Sequence, residues 1–90
     1  MNGPVLIKRH LLGGRAVTVT NIDDPAAGVL AVAMLSAEGW SVAKGTGEVV
    51  GDRLPRKRAT WLLSRTAKQV AETRAVRALL AGGPDAAVAW

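Results

Sequence analysis

Short apolar runs alternate along the chain with breaks marked by glycine and proline, and the period inside each run indicates its element. Val5 to Leu12 and Arg15 to Asn21 are both β-prone. In the second, Val17 and Val19 alternate with Thr18 and Thr20, as one core face against one wetter face. Gly13-Gly14 between them suits a tight two-residue turn, so a hairpin of strands over 4–12 and 15–21 is expected.

Asp24-Pro25 then offers a helix start, because Asp can accept from free backbone N–H groups and Pro loses nothing at the first helical position. The body from Ala26 to Leu35 has no polar side chain, and Gly39 can supply the left-handed residue that ends a helix. The prediction is a helix over 25–38 that is apolar all the way round. A surface helix would carry a polar stripe, and this one has only Ser36 and Glu38 near its end. One sheet covers one side of such a helix, which leaves the other side for the last helix or a second chain.

Trp40 to Val50 resumes a β-prone pattern, interrupted by Gly45-Thr46-Gly47, and predicts a strand over 40–50. Residues 51–58 read as an exposed basic loop. Ala59-Thr60-Trp61-Leu62-Leu63 fits either a strand or the start of a long helix. Thr66 with Gln69 three residues on forms a capping box, which places a strand at 59–64 and a new helix at 67–81. Gly82-Gly83-Pro84 should close that helix and leave a short tail over 85–90. The expected fold is α+β: a small, mainly antiparallel sheet of three to four strands with two helices, in one domain over 1–90.

Length and composition add few bounds. Ninety residues hold one core, and a chain without cysteine has no disulfide to compensate for its small size. Partner chains are the remaining way to add buried area. The longest apolar stretch, Pro25 to Ser36, is well short of the roughly 20 residues that cross a bilayer. Val5-Leu6-Ile7 is too short for an export signal, so a cytoplasmic location without a membrane partner is expected. Heavy use of Ala, Gly, Val and Arg without Phe or Tyr suggests a high-GC genome, such as that of an actinobacterium or one of its phages.

The run Leu35-Ser36-Ala37-Glu38-Gly39-Trp40-Ser41-Val42 resembles the signature of a family of small uncharacterised β-α-β-β domains. In that family a helix ends in Leu-x-x-x-Gly-Trp, a strand follows, and an aromatic-rich last strand closes on a basic residue. Ala59 to Arg65 resembles that last strand, so the likeness spans residues 15–65. The family has no established activity, and the resemblance implies a fold alone. In it Gly39 would let the chain reverse and Trp40 would plug the end of the core.

Candidate catalytic chemistry is thin. His10 is the single histidine and has no evident partner to orient it, while Asp23 and Asp24 are explained as helix caps. No catalytic residue is assigned. With one His, no Cys and no acidic cluster at ligand spacing, neither a metal nor any other cofactor is expected. Gly45-x-Gly47-x-x-x-Gly51 invites a phosphate-loop reading. It lacks the Gly-Lys-Ser/Thr that leads into a helix, and bulge or loop glycines explain it.

Charge is the feature with functional weight. The chain carries a net +5, and between Arg53 and Arg77 eight cations stand against the single acid Glu72. Arg53, Arg56, Lys57, Arg58, Arg65 and Lys68 are the candidate contacts to nucleic acid or another polyanion, with 56–58 the densest point. A solvated loop that keeps a small hydrophobic protein soluble would give the same run. Trp40 and Trp61 are core candidates, which leaves only Trp90 for the surface and argues against stacking of bases. Gln69, Thr73, Val76 and Leu80 share one face of the last helix. Val29, Leu30, Met34, Val76 and Leu80 are therefore the expected contacts to a second copy, most simply in a dimer.

These features favour a non-enzymatic, homo-oligomeric basic module that binds DNA, RNA or another polyanion. Two alternatives stay open. One is a structural or host-interaction protein of phage or mobile-element origin, and the other is a small-ligand-binding protein with a pocket at a subunit interface.

Overall fold

The computed structural model describes residues 5–88. It is α+β, as expected, with more strands and fewer helices. Strands β1 (Leu6–Leu11), β2 (Ala16–Asn21), β3 (Val29–Ser36), β4 (Gly39–Lys44) and β5 (Val49–Leu54) are followed by one long helix, α1 (Arg56–Val88). The strands form an antiparallel meander in the order β1-β2-β3-β4-β5, and α1 lies across one face of it.

The first hairpin forms where the alternation placed it, with Lys8 opposite Val19 and His10 opposite Val17. Its connection is longer than the predicted two-residue turn. Leu12–Gly14 make one turn of 3-10 helix, with Leu12, Gly13 and Gly14 all at positive φ.

The helix expected over 25–38 is a correction. Only one turn of 3-10 helix forms, over Pro25–Ala27, and Asp24 does not cap it: its side chain makes no capping hydrogen bond and pairs with Arg74 instead. Gly28, at φ 65° and ψ −144°, then takes a conformation that a side chain would forbid and turns the chain into β3. The apolar body becomes the central strand. α1 covers one side of β3 only, so Met34 on the other side stays exposed. Ala31 and Ala33 point at α1, and a bulge between Val19 and Thr20 leaves Leu30 unpaired and buried in the core as well. Local period could not separate a buried strand of this length from a helix.

The strand expected over 40–50 is two, folded back on itself at Gly45-Thr46-Gly47. The resemblance placed a helix before Gly39-Trp40, and that position is the tight turn between β3 and β4. Gly39 has φ 128°, and a side chain there would press on the Arg53 backbone at 3.2 Å.

The strand expected over 59–64, the capping box at Thr66 and the exposed loop over 51–58 all give way to β5, Pro55 and α1. The Ala59 N–H donates to the Pro55 carbonyl at 2.9 Å, which sets the helix going at Arg56, ten residues before Thr66. Ala59, Leu63, Thr66, Ala67 and Ala71 are all buried, so one apolar stripe at helical spacing runs through the supposed break. Thr66 faces the sheet and caps nothing. α1 also passes through Gly82-Gly83-Pro84, where an end was expected. The fixed φ of proline is helical, but Pro84 both removes a backbone hydrogen bond and crowds the carbonyl four residues earlier, so α1 continues there at a cost. Residues 85–88 of the expected tail belong to α1, and 89–90 lie outside the described residues.

The core sits between α1 and β2, β3 and β4. Val19, Leu30 and Val42 are its largest fully buried side chains, each worth roughly 1.5–3 kcal/mol on burial. The small Ala31, Ala33, Ala59, Ala67 and Ala71 let helix and sheet approach closely. Burial ends at Ala71: from Glu72 to Ala81 every residue of α1 is exposed. The helix overhangs the sheet, and the molecule measures 55 × 22 × 20 Å. Among the described residues no helix is long and apolar enough to cross a membrane.

Candidate functional site

The basic segment of the sequence becomes the end of β5 and about the first six turns of α1. The two ends of that segment behave differently. Arg53, at φ 53°, turns back to Glu38 and pairs with it through Nε at 3.2 Å. Arg56, Lys57, Arg58, Arg65 and Lys68 are exposed on α1, and none of them makes an ion pair among the described residues. The three ion pairs among the described residues use other cations: Lys44 with Glu48, Arg53 with Glu38, and Arg74 with Asp24 at 3.4 Å.

Helical geometry sorts the five free cations into two groups. At 3.6 residues per turn, Arg58, Arg65 and Lys68 fall on the side of α1 opposite the buried Ala59, Leu63 and Ala67, with Lys57 beside them. Trp61 lies in the middle of that outer stripe. It is 55% exposed and absent from the core, against expectation, because the strand that would have buried it is a helix with its other face on the sheet. The Arg65 guanidinium sits 5.3 Å from the centre of the Trp61 ring.

Arg56 faces the other way. α1 crosses the middle of the sheet and leaves the inner side of β1 uncovered, which opens a cavity of about 280 Å³ between them. Val17, Ala33, Trp40 and Leu63 form its apolar floor, while Lys8, His10 and Arg56 line its rim with no acidic side chain. Lys8 and His10 were not singled out as contacts in the sequence. Their alternation opposite Val19 and Val17 places them on the helix side, but only the position of α1 brings them to Arg56. His10 therefore sits among basic groups, with no acid in the cavity to orient it as a base.

The first turn of α1 contains no acidic residue and three basic ones. Cations there oppose the positive end of the helix dipole, so their position opposes the helix rather than helping it.

The expected interface residues separate. Val29, Leu30, Val76 and Leu80 line one open groove of about 1060 Å³ between the overhanging part of α1 and the start of β3. Leu30 is 1% exposed and belongs to the core of its own chain, whereas Val29, Val76 and Leu80 are exposed. Met34, also exposed, pairs with Ala16 and Ser41 and lies on the far face of the sheet, away from the groove. Leu79 and Leu80 are 72% and 71% exposed, and sequence reasoning had passed over Leu79.

The glycines of 45–51 hold no phosphate loop. Gly45 donates its N–H to the Leu30 carbonyl at 2.9 Å, and Gly47 closes the β4–β5 turn on the Lys44 carbonyl. Among the described residues, no group of three or more His, Asp or Glu side chains could hold a metal ion. The chain matches no family model, no curated protein and no solved structure.

Proposed function

We propose that the protein is a non-enzymatic, homo-oligomeric binding module that holds nucleic acid on the outward face of α1. The observation that carries this is the stripe of Arg58, Arg65 and Lys68, flanked by Lys57. These cations face solvent without ion pairs among the described residues, while the other end of the basic segment is neutralised by Glu38. Free cations on a rigid helix match a phosphate backbone, where binding is driven by release of counterions. A gel-shift salt titration tests the reading. Binding should weaken steeply with salt, and replacing Arg58, Arg65 and Lys68 together by Ala should flatten the slope by roughly two to three. Absence of binding at low salt, or an unchanged slope in the triple variant, overturns it.

Self-association is part of the proposal and rests on the overhang. A helix arm with Val76, Leu79 and Leu80 exposed cannot cover them on its own chain, and the groove beside it is floored by Val29 and Leu30. Arm and groove lie on the same molecule, which is the condition for a reciprocal two-fold contact. Light scattering should find a dimer that becomes a monomer when Leu79 and Leu80 are both changed to Lys. A wild-type monomer at high micromolar concentration removes this part.

A further inference from the structure

The outward stripe of α1 is basic and aromatic together, and this narrows the kind of nucleic acid it suits. Arg58, Trp61, Arg65 and Lys68 follow one another at spacings of three, four and three residues along about 15 Å of helix. An exposed tryptophan in this place does nothing for the core: Trp61 is 55% exposed, and the packed cluster between α1 and the sheet excludes it. Its partner is a cation, the Arg65 guanidinium at 5.3 Å over the ring. Open ring surface remains beside that contact.

We infer that Trp61 is a stacking platform and that the α1 stripe takes single-stranded nucleic acid in preference to duplex. The inference rests on the proposed function and deepens it. In a duplex the faces of the bases are stacked inside, and a protein surface meets phosphates and groove edges. In a single strand the faces are free, and an aromatic ring set among cations can hold a base while Arg58, Arg65 and Lys68 hold the flanking phosphates. Such contact tolerates any base, because each has a π-face. Trp40, half-buried against the core, takes no part.

Fluorescence anisotropy with dye-labelled oligothymidylate, oligouridylate and a DNA duplex of the same length tests this at low salt. The protein should bind both single strands more tightly than the duplex. Trp61→Ala should weaken single-strand binding by about fivefold to a hundredfold, leave duplex binding unchanged and leave the salt slope intact, since no charge is lost. Trp61→Phe keeps an aromatic face and should retain most of the affinity, which separates stacking from any loss of helix. If Trp61→Ala binds single strands as wild type does, or weakens strand and duplex alike, the platform is refuted. The proposed function survives that result if the Arg58, Arg65 and Lys68 triple variant still lowers binding. If the wild-type protein binds none of the three probes, both readings fall together.

Discussion

The Arg65 guanidinium lies 5.3 Å above the ring of Trp61, one helical turn before it, on the side of α1 turned away from the sheet. The contact is local to the helix, exposed, and independent of the core. An exposed cation–π pair contributes about 0.5–1 kcal/mol. Arg65→Ala, Trp61→Ala and the double variant, unfolded in urea, should therefore show a coupling of that size and no more. A coupling of several kcal/mol would mean that Trp61 is a packing residue after all.

Leu63 offers the opposite case. It is 2% exposed, midway along the buried stripe of α1, and touches the floor of the cavity beside β1. Leu63→Ala should cost about 2–5 kcal/mol, a large share of the stability of so small a domain. Leu62, only half-buried, should cost less. Equal costs at 62 and 63 would contradict the orientation of the helix.

Gly45 is held by space. A methyl group on its Cα would run into the backbone carbonyl of Val29, and backbone cannot swing aside as the end of a side chain can. Gly45→Ala should lower the thermal midpoint far more than Thr46→Ala, its exposed neighbour. If the two are alike, β3 and the β4–β5 turn are not packed as described.

The Glu48 carboxyl titrates away from its ordinary value. The hydrogen bond from Lys44, with its charge as the second cause, holds the Glu48 carboxyl below its ordinary range. The sign follows directly: a lowered folded-state value stabilises the fold above the unfolded-state pKa, and that contribution is lost as pH falls through the folded-state value. NMR titration should find the Glu48 carboxyl ionising below the ordinary glutamate range, and Lys44→Ala should return it to that range. An unchanged Glu48 curve in that variant would show that the pair does not persist in solution.

Parts of this architecture are legible in local pattern. The alternation of Val17 and Val19 with Thr18 and Thr20 placed the first hairpin correctly, and the charge excess after Arg53 located the basic surface. The seven-residue rhythm of Ala59, Leu63, Thr66 and Val70 is also present. It was overridden by Thr66 and Gln69, whose spacing imitates a capping box inside a continuous helix. Asp24-Pro25 misled in the same way, because a start signal states where a helix can begin and Gly28 ended it after one turn.

By itself the sequence determined the α+β class, the first hairpin and the asymmetry of charge, since these depend on composition and on neighbours in the chain. The tertiary structure decided whether the apolar run at 29–36 was helix or strand. Its hydrogen bonds go to β2 and β4, and no periodicity within the run records those partners. It also decided the fate of the tryptophans. Trp40 lies against the core and Trp61 faces water, a difference set by which side of α1 the sheet occupies.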